Sequence, residues 1–347
     1  MPDRALARIS EAAIEANSRR LGRDVELCAV VKADGYGHGA VRAARAAGTD
    51  WLAVATAGEA HALREAGIGG RILVMGALGD HDVDADVTVW DLEFLRAIAP
   101  SRPRVHVKLD TGMGRLGTKD VGEALAMVDE AAGDERIELA GVMTHFATAD
   151  ELGDDHFPAQ LARFQEFVAA VRERHGQVMA HAANSAATLR DPAAHFDMVR
   201  CGVAIYGLDP FQQDPFAHGL EPALELSSYV AAVRRFEPGD SAGYGRRWTA
   251  EKPTMVATLP IGYGDGWRRA LTNNCDVLIR GERRPLVGTV SMDNITVAVG
   301  EDAEVGDEAI LIGSQGDERI LCEEVAERIG TINYEVACGL SARVKRV

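Results

Sequence analysis

The sequence lacks the features that would place it in several large classes. Its five cysteines, Cys28, Cys201, Cys275, Cys322 and Cys338, are odd in number and include no C-x-x-C pair. That pattern supports neither a disulfide framework nor a zinc site, and it fits a reducing compartment. Cysteines of this kind are ordinarily small buried side chains rather than nucleophiles. Positive charge is short: 37 Lys and Arg against 53 Asp and Glu leave a formal net charge of -16. Neither nucleic acid nor an anionic membrane is drawn to such a surface, so the charge reads as solubility. No apolar run approaches bilayer length, and the opening MPDRALARISEAAIEANSRR is charged and amphipathic, without the apolar core of a secretion signal. A cytoplasmic protein is expected. The sequence also shows no internal repeat and no low-complexity tract.

What is present has two textures. A chain of 347 residues exceeds one compact core, so two domains are expected. The first part alternates apolar runs with amphipathic stretches. The runs are 25–31, 51–55, 72–75, 87–90, 105–109, 139–143, 178–183 and 198–204, rich in Val, Ile and Ala. Strands buried on both faces read this way. Helix-like segments at 40–47, 58–66, 121–132 and 157–175 lie between them. Eight such units are the arithmetic of an α/β protein built as a (β/α)8 barrel, although the count alone leaves a doubly wound sheet open. After about Glu221 short strand-like runs take over at 224–236, 254–261, 277–280, 285–290, 295–299 and 308–312, divided by turn signals, with one helix at 322–329. The expected division is a barrel over residues 1–221 and a mostly-β domain over 222–347.

In such a barrel the chemistry gathers where the strands end. Lys32 ends the first run, Lys108 and Asp110-Thr-Gly-Met-Gly-Arg115 the fifth, Thr144-His145 the sixth, Asn184-Ser185 the seventh and Arg200-Cys-Gly202 the eighth. A lysine ending a buried strand is costly unless it is ion-paired or covalently modified, and the residues alone leave both open. Around it, Gly35, Gly37 and Gly39 let backbone approach a ligand, and Tyr36 offers a hydroxyl. The loops after strands seven and eight, the usual phosphate site of a barrel, carry Ser185 and Gly202. A phosphate-bearing cofactor beside a strand-end lysine points to pyridoxal phosphate (PLP).

The segments AVVKADGYGHG (29–39), KLDTGMGRLG (108–117), GVMTHFATADE (141–151), ANSAA (183–187), VRCGVAIYGLDP (199–210), SAGYGRRW (241–248), LPIGYGDGW (259–267), VGTVSMDNITV (287–297) and TINYEV (331–336) resemble the alanine racemase family in matching order, over nearly the whole chain. The resemblance implies a PLP-dependent isomerase that interconverts L- and D-alanine and supplies D-alanine for peptidoglycan. It implies that Lys32 holds PLP and serves as one of two catalytic bases. Tyr244 is implied as the opposing base, donated by a second subunit, which makes the protein an obligate head-to-tail homodimer. Cofactor contacts are implied for Tyr36, His145, Asn184, Ser185, Arg200, Gly202 and Val203. Arg200 is implied to face the pyridine nitrogen; a guanidinium only donates, so that nitrogen stays unprotonated and the ring is a weaker electron sink. Substrate contacts are implied for Arg115, Met292 and Tyr263, and carbamylation for Lys108, whose new carboxylate would orient Arg115. No metal is implied. The chain departs from the pattern at Ala342, where many relatives carry a tyrosine that reaches the phosphate; a looser site that also racemises serine or other small amino acids is the expectation from that change. Barrel-type decarboxylases carry a reactive cysteine-aspartate motif that Cys275-Asp276 does not reproduce, and PLP carriers on the same barrel lack the second domain.

Overall fold

The computed structural model describes residues 3–77 and 83–347 and divides the chain into two compact units, one of residues 14–211 and one joining the N-terminal residues up to Ala13 with 212–347. The first unit is a closed barrel of eight parallel strands, Glu26–Val30, Trp51–Val54, Arg71–Val74, Asp86–Val89, Arg104–Lys108, Glu138–Met143, Met179–His181 and Met198–Cys201. Each of the eight expected runs overlaps one of these strands, four of which begin one residue earlier than expected. Closure comes from Glu26–Val30 pairing with Met198–Cys201. The strands are almost wholly buried because helices such as Ala40–Ala47, Ala57–Glu65, Val121–Gly133 and His156–His175 follow them in turn.

The second unit holds two sheets. Leu6–Ile9 pairs antiparallel with Leu224–Tyr229 and parallel with Lys345–Arg346, which is why the chain's first residues group with its last part rather than with residues 14–211. The expected run 224–236 is two strands, not one. Leu224–Tyr229 lies in the larger sheet, and Ala232–Phe236 pairs with Thr254–Leu259 in a three-stranded one. An apolar run carries no mark of such a change of sheet. The run 285–290 also reads differently: the strand is Glu282–Pro285, an edge strand on which proline is tolerated. Beyond it Gly288 takes φ +86°, where a Cβ would lie 2.6 Å from the Ala242 carbonyl oxygen. A further helix, Asn333–Cys338, follows Cys322–Ile329. Among the described residues no helix is long and apolar enough to cross a membrane.

Candidate active site

Lys32 stands just past the end of the first barrel strand, with Val31 between, and opens an unusual turn. Ala33, Asp34, Gly35, Tyr36 and Gly37 all have left-handed φ values, 51°, 53°, 62°, 53° and 83°. Three of these are not glycine, and left-handed backbone costs such residues on the order of 1 kcal/mol each. Neighbours hold the turn in place. The Ala33 amide donates to the Glu59 carboxylate at 2.7 Å, and the Asp34 carboxylate accepts from the Ala40 amide at 2.9 Å. Glu59 also completes the capping box of the helix after the second strand. Farther along, His38 stacks on Tyr206 at 4.4 Å, and the Tyr206 hydroxyl donates to the Val30 carbonyl at 3.0 Å. Backbone strain at this lysine is thus carried by a set of specific contacts.

Tyr36, Ser185 and Gly202 form a cradle. A Cβ on Gly202 would sit 2.3 Å from the Tyr36 hydroxyl oxygen, so any side chain there would displace the Tyr36 ring from its present place. The Ser185 hydroxyl oxygen accepts from the amides of Gly202 at 3.1 Å and Ala204 at 3.3 Å, which leaves its own proton to donate. Asn184 caps the short helix Ser185–Arg190 by accepting from the Ala187 amide, and Val203 begins the 3-10 turn Val203–Tyr206. A phosphate group suits this set of donors.

Arg200, in the eighth strand, is 2% exposed. Its Nη1 donates to His181 Nδ1 at 2.8 Å, and its Nη2 to the carbonyls of Thr144 at 2.8 Å and Ala182 at 3.0 Å and to His145 Nδ1 at 3.2 Å. Its buried Nε alone has no partner among the described residues, and a buried donor left in this way calls for an acceptor. The unprotonated nitrogen of a pyridine ring is one. Burial lowers the Arg200 guanidinium to about 10, still protonated at neutral pH.

Lys108, 3% exposed at the end of the fifth strand, is lowered to about 8, first by burial and then by Arg200, Arg115 and Lys32. The same burial and cations hold His145 well below the ordinary histidine value, so its ring is neutral. Lys32, Lys108, Arg115, His145 and Arg200 are therefore close enough to act on one another at one end of the barrel. Arg115 itself is exposed, on a loop whose amides at Gly112, Met113 and Gly114 donate to the Asp110 carboxylate. Burial pushes the thiols of Cys201 and Cys275 up to about 12 and those of Cys28 and Cys322 well up, which makes none of the four a nucleophile.

The remaining expected residues lie on the second unit. Tyr244, Tyr263 and Met292 are 74%, 42% and 51% exposed, and their segments are knitted together. The Thr289 hydroxyl donates to the Tyr244 carbonyl, the Tyr263 amide to Ser291 and the Gly264 amide to Met292. Ala342 is an exposed turn residue beside Arg343, whose guanidinium pairs with Asp293. Sequence reading missed several buried polar groups: Asp86, His106, His181 and Gln160. The last binds the Thr111 hydroxyl and the His145 carbonyl through its amide nitrogen. For His106 the signal was present. In Arg104–Lys108 it stands two residues before Lys108 and so shares its inward face.

Two family models match the chain, "Alanine racemase, N-terminal domain" over residues 9–210 and "Alanine racemase, C-terminal domain" over 223–347. An alanine racemase of Symbiobacterium thermophilum is 42% identical over 355 residues, covering 96% of this chain and 94% of the relative. Alanine racemase 1 of Bacillus subtilis strain 168 is 40% identical, covering 98% and 92%. Among solved structures, alanine racemase from Bacillus anthracis with bound L-Ala-P superposes with a TM-score of 0.92 at 37% identity, covering 100% of this chain and 95% of the other. Alanine racemase from Bartonella henselae with covalently bound pyridoxal phosphate gives 0.87 at 28% identity, covering 100% and 99%.

Proposed function

Because the chain belongs to the alanine racemase family of PLP-dependent isomerases, we propose that it interconverts L- and D-alanine with Lys32 and Tyr244 as opposed bases. The observation that carries this reading is the convergence, at one barrel end, of Lys32, the Tyr36–Ser185–Gly202 cradle and the unpartnered Nε of Arg200. The named relatives are all alanine racemases, and none favours the broader substrate range expected from Ala342.

Lys32 would hold PLP covalently, Tyr36, Ser185 and the backbone at Gly202 and Val203 its phosphate, and Arg200 its ring nitrogen. When bound, PLP supplies an electron sink that acidifies the substrate α-carbon. Around it the chain's own groups divide the remaining work. Arg115 attracts the substrate carboxylate. His145, neutral and fixed by Arg200, adds no competing positive charge at the ring. Lys32 Nζ moves the α-proton on one face. On the other, a phenol is needed, and Tyr244 stands exposed on a different unit with Met292 and Tyr263 beside it. Three large side chains exposed on neighbouring segments suit a covered surface, and a second copy of this chain is the partner that would place a phenol opposite Lys32. The cysteine pattern suits the cytoplasm, where the D-alanine would feed peptidoglycan synthesis.

The shared site has a direct test. Lys32→Ala and Tyr244→Ala variants, each inactive, are co-expressed. A mixed dimer carries one site with both changes and one with neither, so random pairing should restore roughly a quarter of wild-type activity. A mixture as inactive as its components contradicts a site built from two subunits.

A further inference from the structure

Arg200 is the near end of a buried chain of hydrogen bonds that runs down the inside of the barrel. Its Nη1 donates to His181 Nδ1 at 2.8 Å; His181 Nε2 lies 2.8 Å from His106 Nδ1; His106 Nε2 lies 3.0 Å from a carboxylate oxygen of Asp86. His181, His106 and Asp86 are each fully buried, with no exposed surface. Asp86 opens the fourth strand, and the guanidinium groups of Arg71 and Arg104, at the starts of the third and fifth, close over it, Nε to carboxylate at 3.0 and 2.8 Å. Trp51 meets His106 edge-on at 5.7 Å, with the Arg71 guanidinium 4.8 Å from the indole centre.

The proton arrangement follows from the two ends. A guanidinium only donates and a carboxylate only accepts. His181 must therefore present a lone pair at Nδ1 and carry its proton on Nε2. That proton needs a lone pair at His106 Nδ1, so His106 carries its own on Nε2, facing Asp86. Any other placement sets two protons or two lone pairs face to face. The backbone is shaped to the chain as well. The sixth strand bulges at Ala140, so that His106 is paired with Gly141, where a Cβ would lie 2.5 Å from His106 Nδ1.

We propose that His106 and Asp86 are positioning residues for Arg200: by fixing the His181 ring as an acceptor they commit Nη1 to the protein and keep the Nε hydrogen for the cofactor ring. The proposal rests on the PLP reading above for its last clause only. Asp86 contributes charge at the far end, and its carboxylate is held well below the usual range by His106, Arg71 and Arg104 acting against burial.

The test pairs two substitutions. In His106→Gln the amide oxygen can accept from His181 and the amide nitrogen can donate to Asp86. His106→Leu has similar bulk and can do neither. Both are made in the full-length holoenzyme, with histidine ring nitrogens labelled with 15N. In the wild type and in His106→Gln, the His181 ring is expected as a neutral ring protonated at Nε2. In His106→Leu, its proton moves to Nδ1 or its signals broaden. The Leu variant is also expected to retain bound PLP, seen by its visible absorption, while kcat falls on the order of tenfold to a hundredfold, the size of one charge-assisted hydrogen bond. KM changes by less than about threefold, and the Gln variant stays within about threefold of wild type in kcat, since the transmitted bond is preserved. A wild-type His181 protonated at Nδ1 overturns the proposal, as does an equal loss in the two variants or a Leu variant with unchanged kcat. Absence of PLP absorption from the wild type would instead overturn the functional reading, while the ring tautomers still report on the relay.

Discussion

Lys108 shows how much a single side chain's chemistry depends on its company. With its amine lowered to about 8 by burial and by Arg200, Arg115 and Lys32, about a tenth of it is neutral at pH 7, far more than for an exposed lysine. The neutral amine is the form that attacks carbon dioxide, forming the N–C bond of a carbamate and releasing a proton. The product is an anion set among three cations, which favours it. Protein equilibrated with 13C-labelled bicarbonate should therefore show a carbamate carbon resonance that is missing from Lys108→Met. Identical spectra for the two proteins would rule the modification out.

At the scale of elements, the barrel strands work as carriers of inward-facing polar residues. His181 is the clearest case, since burial and the Arg200 charge keep its pKa well below the ordinary value of 6.5. The sign is definite. Below about pH 6.5 the unfolded chain takes up a proton that the folded ring refuses, so the unfolded state gains as pH falls and stability is lost. The full slope is about 1.4 kcal/mol per pH unit for one such group. Denaturant unfolding between pH 7 and 5 should fall more steeply for wild type than for His181→Gln; equal slopes would contradict a neutral, proton-refusing His181. Strands of this kind were readable from sequence because burial on both faces leaves plain apolar runs. Leu6–Ile9 was not, since its partners come from the far end of the chain. Nor was the left-handed turn after Lys32. Ala33 and Tyr36 have no intrinsic preference for that backbone and are held in it by Glu59 and the residues around Tyr206. The His181–His106–Asp86 relay escaped for a related reason: the three residues come from different strands, and only closure of the barrel brings them into line.

For the whole molecule, the division into two units places the two proposed bases apart in the chain's organisation, with Lys32 in residues 14–211 and Tyr244 in the unit holding 212–347. The resemblance implied both residues and the second copy; the exposure of Tyr244 and its neighbours supports that proposed partner. The most direct measurement of the two-base account is α-proton exchange in deuterium oxide with each alanine enantiomer supplied separately. Wild-type enzyme should exchange both and bring them to equal amounts. Tyr244→Phe should keep a base on one face only, exchanging the α-proton of one enantiomer and forming almost none of the other. A Tyr244→Phe enzyme that exchanged both enantiomers and interconverted them at the wild-type rate would contradict Tyr244 as the second base.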